Sequence, residues 1–221
     1  MEILIVRHGE SAGNAEGRMQ GSQDFLLSER GREQTRRLAR WLNSNGIGWD
    51  VAYCSPLGRA KETAALLSEL TGHPAAELEP DLAELSAGAL EGLTRAEIVE
   101  RFPAFLERAV TDLGDFAEFG GEAYDQVQLR ARRLLEKLER EHRAAERRVL
   151  LVGHGGINFQ LLKLLICQPV PRVCIVRMGN CGATLVRLRD RRGTYMGEVV
   201  WHVPVELMGG DTDEGAGSLF R

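Results

Sequence analysis

What the chain lacks narrows it first. No apolar run approaches a membrane span; the first, residues 3–6, stops at Arg7, too short for a signal peptide's apolar stretch as well. Cys54, Cys167, Cys174 and Cys181 form no C-x-x-C pair and no zinc spacing, so they read as buried thiols of a soluble protein in the reducing cytoplasm. His73, His142 and His202 have no carboxylate or cysteine at ligand spacing, so no metal site is expected. There is no internal repeat, and the one biased stretch is a glycine-rich acidic tail over 209–221, expected to fray. Charge of neither sign dominates: 28 Lys+Arg against 32 Asp+Glu leave a formal −4. That balance lacks the basic excess of a dedicated nucleic-acid binder. It leaves an anionic small molecule open as ligand, because a pocket can be locally basic inside an acidic shell.

What is present is an ordinary globular composition, 43% hydrophobic and 27% charged over 221 residues. That length suits one α/β domain with its own core, taken here as residues 1–208. Strand and helix patterns alternate along it. Residues 3–6, 50–54 and 149–152 are short continuous apolar runs, as expected of strands buried on both faces of a parallel sheet. Ser28 offers a helix N-cap and Asn45-Gly46 a stop. Ser55-Pro56 reads as N-cap plus first-turn proline of a helix ended by Gly72. Thr94 and Glu97 form a capping-box pattern whose helix breaks at Phe102-Pro103. Residues 126–147 predict a long amphipathic helix with Leu129, Leu134, Leu135 and Leu138 inward and a mixed-charge face outward. An apolar helix over 157–166 and strands at 173–178, 183–188 and 199–203 complete the pattern. It predicts a three-layer α/β/α sandwich around a mostly parallel sheet.

In open α/β sheets ligands bind beyond the carboxyl ends of the strands. Just past three of those ends stand Arg7-His8-Gly9-Glu10-Ser11, then Ser55 with Arg59 a turn further on, then Gly153-His154-Gly155-Gly156. Two histidines and two arginines therefore converge on one edge from three strands. Each histidine is flanked by glycine, which lets backbone approach a ligand.

These segments resemble the histidine phosphatase (phosphoglycerate mutase-like) superfamily. Arg7-His8-Gly9, the run Ser55-Pro56-Leu57-Gly58-Arg59-Ala60 and Gly153-His154-Gly155 occur in the family's order. Asn14, Gln20-Gly21, Glu84, Gly88, Glu91-Gly92 and Gly120-Gly121-Glu122 extend the match from about residue 1 to about 203. The resemblance implies that His8 is a nucleophile forming a phosphohistidine. Arg7, Arg59 and His154 would cradle the phosphoryl group, and Glu84 would give the leaving oxygen its proton, with Glu91 structural. An imidazole attacks only when neutral, and a backbone carbonyl near Gly9 would fix the required tautomer. Guanidinium forks suit phosphate oxygens. Ser11, Asn14, Gln20, Gly21 and Gly155 are the further candidates for phosphate contact, although Ser and Asn also satisfy turn backbone. Glu122 stands either near the substrate entrance or simply at the start of the long helix.

The family resemblance covers both hydrolysis and mutase transfer. The compact spacing from Glu84 to His154 favours a phosphatase acting on a small phosphorylated metabolite, without cofactor or metal. Phosphoglycerate mutase-type transfer is the alternative, and a non-catalytic phospho-ligand binder the remote one. The intervening stretch, about 93–125, reads as a lid whose Phe102, Phe105, Phe116 and Phe119 either pack their own small core or face the substrate. The strand expected at 173–178 could be a sheet edge pairing with a second subunit as a homodimer. No nucleic-acid or membrane partner is expected.

Overall fold

The apolar run at the amino terminus forms β1 (Glu2–Arg7), and its alternating side chains divide the molecule into layers. Ile3 and Ile5 face one core with Val149 and Leu151; Leu4 and Val6 face the other with Leu150 and Val152. A strand covered on both sides has no polar face to show, which is why its sequence does not alternate. The computed structural model describes residues 1–107, 115–166, 178–191 and 194–208.

Strands β2 (Val51–Cys54), β3 (Ala76–Leu78) and β4 (Arg148–Gly153) run parallel to β1, while β5 (Ala183–Arg191) and β6 (Thr194–Val203) close the sheet as an antiparallel hairpin. The order is β3-β2-β4-β1-β5-β6, so the expected mostly parallel α/β sandwich is the observed one. After the four-residue α1 (Ala12–Ala15), helices α2 (Glu29–Ser44) and α3 (Gly58–Thr71) cover one face through Leu38, Leu42, Ala60, Ala64 and Leu67. Following α4 (Arg95–Arg101), helices α5 (Tyr124–His142) and α6 (Gly155–Ile166) cover the other through Val127, Leu134, Leu138, Ile157 and Leu161. Among the described residues no helix is long and apolar enough to cross a membrane.

Three expectations need correction. The inward stripe of α5 is Val127, Ala131, Leu134 and Leu138, at spacings of four and three, and Leu129 is 63% exposed because it lies well off that stripe. Leu135 only packs at the core's margin. Helix α3 begins at Gly58 rather than at Pro56, with Leu57 at its N-cap position, and Asp24 Oδ1 accepts from the Gly58 amide (2.5 Å). Ser55 is spent elsewhere, as shown below. The sequence pattern also missed β3 and α1, each too short to carry a period. The expected strand at 173–178, the tail, Cys167 and Cys174 lie, but for Met178, outside the described residues.

Ser28 caps α2, its Oγ accepting from the Gly31 amide (3.0 Å), and the Thr94–Glu97 capping box on α4 is present. Phe102 and Phe105 meet Phe119 edge-on, and with Phe116 they pack against Ala87, Leu90 and Ile98. The phenylalanines thus make a small core of their own.

Gly31 sets how closely α2 approaches the turn after β1: a Cβ there would lie 1.9 Å from the Glu10 carbonyl oxygen. Gly31→Ala is expected to cost about 3 kcal/mol, the upper range for overpacking, read as a lowered urea midpoint. A midpoint within error of wild type would show that the turn yields freely.

Candidate active site

Each parallel strand delivers its next residue to one edge: β1 ends at Arg7 and hands on His8, β2 hands on Ser55, and β4 hands on His154. The pairing is in register, with Arg7 opposite Gly153 and Cys54 opposite Val152. The two imidazoles lie 4.9 Å apart between ring centroids, tilted by 57°. His8, His154 and Arg59 are all buried, at 2%, 0% and 1% exposure.

His8 Nδ1 lies 2.6 Å from the Gly9 carbonyl oxygen. A carbonyl can only accept, so Nδ1 carries the proton and Nε2 keeps a lone pair. Burial holds the His8 pKa well below the ordinary imidazole range, with the Arg7 and Arg59 charges adding to it and the Gly9 carbonyl opposing. The expectation of a neutral ring oriented by the Gly9 turn is met in both respects. His154 carries the opposite tautomer. Arg59 Nε donates to its Nδ1 (3.1 Å), so Nε2 bears the hydrogen and donates to Ser55 Oγ (2.7 Å). Burial first, then repulsion from any proton on His8 and from the Arg59, Arg7 and Arg130 charges, hold the pKa of this ring well below the ordinary range as well. Only Nε2 carries a hydrogen, so this ring donates to a phosphoryl oxygen only by releasing Ser55.

Arg59 also donates through Nη1 to the Gln23 carbonyl (2.7 Å) and through Nη2 to the Gly21 carbonyl (2.9 Å). Arg7 donates through Nη1 to the Met178 carbonyl (2.9 Å), while its buried Nε has no hydrogen-bond partner among the described residues. Burial lowers both guanidinium pKa values, and the Glu84 carboxylate is the first charge opposing it in each case. Glu84 lies at the amino end of α6, accepting from Leu85 N and Ile157 N at Oε1 (3.0 and 3.2 Å) and from Gly156 N at Oε2 (3.1 Å). Gly156 permits this, since a Cβ there would sit 2.7 Å from Glu84 Oε1.

The neutral candidates divide. Ser11 caps α1, its Oγ donating to Gln20 Oε1 (2.6 Å), so both side chains fasten the loop rather than face it open. Asn14 Oδ1 accepts from Ser11 N (3.2 Å) and Asn180 Nδ2 (3.2 Å), which fixes its amide with the Nδ2 donor turned away from that network. Gly21, at φ 51°, serves through its carbonyl on Arg59. Gly155 lies against Arg7, where a Cβ would be 3.6 Å from the guanidinium carbon. Glu91 accepts from Ser22 N (2.9 Å), Ser86 Oγ (3.1 Å) and Ala87 N (2.9 Å), a structural anchor. Glu122 pairs with Arg130 through both oxygens (2.7 and 3.0 Å) and does not simply open a helix.

Sequence reading missed the floor of the site. Cys181 N donates to the carbonyls of Arg7 (3.1 Å) and His8 (3.2 Å), and Asn180 Nδ2 donates to the His8 carbonyl (3.1 Å). Asn180-Cys181-Gly182 is a turn-forming triplet ahead of β5, and that was the available signal. Gly9 N donates to Thr63 Oγ1 (3.0 Å), which donates to the Arg59 carbonyl (2.7 Å), tying the nucleophile's turn to α3. Among the described residues no three His, Cys, Asp or Glu side chains gather as a metal site.

A buried cationic cluster holding an imidazole lone pair suits phosphoryl transfer. Comparison makes the class definite: the chain belongs to the histidine phosphatase superfamily, branch 1, which residues 3–198 match. It is 32% identical over 192 residues to an Arabidopsis thaliana metal-independent phosphoserine phosphatase, covering 86% of this chain and 78% of that one. A mycobacterial glucosyl-3-phosphoglycerate phosphatase solved with VO3 is 30% identical, with a TM-score of 0.77 over 90% of this chain and 96% of that one. A probable phosphoglycerate mutase of Enterobacter sp. is 28% identical over 200 residues, 90% of this chain and 91% of that one.

Both buried imidazoles bind a proton less readily in the folded chain than in the unfolded one. Their contribution to stability is therefore present above about pH 6.5 and lost as the pH falls below it. The urea midpoint is expected to be lower at pH 5 than at pH 7.5, with part of that decline removed in His8→Asn. An unchanged pH dependence in the variant would show His8 protonating freely in the fold.

Proposed function

We propose that His8 is the nucleophile, Arg7, Arg59 and His154 the phosphoryl cradle, and Glu84 the proton donor, acting on a small phosphorylated metabolite. The chain is a phosphomonoesterase of the histidine phosphatase family. The His8 Nε2 lone pair attacks phosphorus, the ester P–O bond breaks, and the leaving oxygen takes the proton from Glu84. Glu84, now a carboxylate, removes a proton from water. The water oxygen attacks, the P–N bond breaks, and inorganic phosphate leaves with His8 neutral again. Arg7 and Arg59 stabilise the charge on the equatorial oxygens, and Asn14 Nδ2 supplies a neutral donor.

The observation that carries this reading is the buried Arg7 Nε without a partner, beside an imidazole of defined tautomer. A buried donor left unpaired costs stability unless a ligand completes it. The relatives' names put carboxylate-bearing phosphate esters, phosphoserine and glucosyl-3-phosphoglycerate, first among substrates to screen. Mutase transfer is the second reading, favoured by the likeness to a probable phosphoglycerate mutase. Of the 93–125 stretch read as a lid, 108–114 lie outside the described residues, and the phenylalanines of the rest serve a core of their own. Metal-independence follows the name of the plant relative, and the buried free thiols Cys54 and Cys181 support a cytoplasmic setting.

Turnover of a generic phosphate ester is expected to fall at least about a hundredfold in His8→Ala and to be unchanged by chelator. Wild-type enzyme quenched during turnover should carry an acid-labile phosphoryl group that the variant lacks. Near-normal turnover in His8→Ala would falsify the assignment.

A further inference from the structure

Glu84 is asked for accuracy at a place where the chain has no regular structure. Residues 83–87 belong to no helix or strand. A side chain that must meet the leaving oxygen within hydrogen-bond reach needs its backbone held by something else. The three amides that contact its carboxylate hold the tip, not the stem.

The stem is held by α5. Arg130, Arg133 and Lys137 lie at i, i+3 and i+7, on one stripe of that helix. They meet the segment before Glu84 in antiparallel order. Lys137 Nζ pairs with Glu79 Oε2 (2.7 Å), Arg133 with the Asp81 carboxylate, and Arg130 Nη1 donates to the carbonyls of Asp81 (2.8 Å) and Ala83 (2.7 Å). Arg133 is largely exposed, so its pair contributes little. Arg130 is buried, and its other edge grips Glu122 at both oxygens. Glu122 in turn accepts from Ser86 N at Oε2 (3.3 Å) and donates its own amide to the Ser86 carbonyl (2.9 Å). The pair therefore fastens the chain at 81 and 83 on one side of Glu84 and at 86 on the other. A lysine could not do this, since its single ammonium cannot span two carbonyls and two carboxylate oxygens at once.

We infer that the Arg130–Glu122 pair is a positioning clamp for Glu84, fixing the loop that presents the proton donor to the ester oxygen. This rests on Glu84 being that donor, as proposed above. The clamp predicts a chemical signature and not only a loss of stability. A leaving oxygen that needs protonation feels a misplaced acid, and a good leaving group does not. The readout is kcat/KM, which reports the step in which the ester bond breaks, for an alkyl phosphate against 4-nitrophenyl phosphate. The ratio of the two is independent of how much of each preparation is folded.

Arg130→Lys and Glu122→Gln are each expected to lower kcat/KM about tenfold for the alkyl ester and less than about twofold for the aryl ester, a fraction of what a general acid contributes. Glu84→Gln should show the same preference more strongly, and Arg130→Lys added to Glu84→Gln should change the alkyl-to-aryl ratio no further. Equal slowing of both esters by the clamp variants, with Glu84→Gln still selective, would overturn the clamp alone. Arg130→Lys behaving as wild type would do the same, by showing that only a positive charge is needed. Further loss in the double variant would assign Arg130 a route other than Glu84. Equal slowing by Glu84→Gln itself would remove the acid assignment, and the clamp with it.

Discussion

Everything at this site depends on holding one fully buried and one half-buried guanidinium, Arg59 and Arg7, beside two imidazoles. Taking one such cation out of water costs several kcal/mol even after relaxation, and leaving it unpaired costs more. The protein meets that cost unevenly. Arg59 has three acceptors, Nδ1 of His154 and the carbonyls of Gln23 and Gly21. Arg7 has one carbonyl and a Nε with nothing to donate to. The carboxylate of Glu84 is the opposite charge nearest in effect to both. The same positive field that is expensive at rest keeps the imidazoles neutral. An ion with two or more negative charges relieves the expense and finds a nucleophile already in its reactive form. Preorganisation here means that the cost is met in folding and not at the moment of reaction.

The sheet makes this arrangement affordable. Placing His8, Ser55 and His154 immediately after three adjacent parallel strands brings them together with no long side chain ordered for the purpose. The strands are fixed by cores on both faces, so the ring positions inherit the rigidity of the most buried part of the chain. Phosphate binding then falls to residues that local turn chemistry has already placed. Asn14 is the clearest case: Ser11 and Asn180 hold its oxygen, and the orientation of its amide follows.

Strands β1, β2, β4, β5 and β6, the order of α2, α3 and α6, and the convergence of Arg7, His8, Arg59 and His154 were legible because continuous apolar runs and strand-end polar residues are short-range signals, whereas Glu84 came from the family resemblance alone. Leu129 was misplaced because a helix can be rotated by one or two positions and still read as amphipathic; only the partner surface decides. Ser55 was misassigned because the helix begins three residues later, at Gly58; its hydroxyl accepts from the Leu57 amide (3.2 Å) in the turn and from His154 Nε2 (2.7 Å) across the sheet edge. Arg130 and Asn180 were invisible for another reason. Their partners, at Asp81, Ala83 and Glu122 or at His8 and Asn14, are distant in sequence or are backbone carbonyls, which carry no residue identity at all. Glu122 was seen at the right place with two roles open, and only the fork from Arg130 separates a buried pair from a helix-start acid.

Departures from ordinary folding rules occur at the site and also away from it, where Glu146 has positive φ and His142 Nδ1 and Gln160 Oε1 lack a hydrogen-bond partner among the described residues. Among the described residues two non-glycine positions have positive φ, and one of them, Cys181 at 54°, donates its amide to the carbonyls of both Arg7 and His8. The unpartnered Arg7 Nε is one residue from the nucleophile. Cys181's thiol, pushed up to about 12 by burial, is chemically inert at neutral pH, so its place under the site is a matter of backbone shape rather than sulfur chemistry. Strain and unpaired donors persist only where surrounding structure over-determines them. Here the surroundings are a two-faced core behind the strand ends and the α5 clamp beside Glu84. A positive-φ residue and an unpaired guanidinium donor, both beside the nucleophile, are local irregularities of the kind that a site shaped for an anion carries.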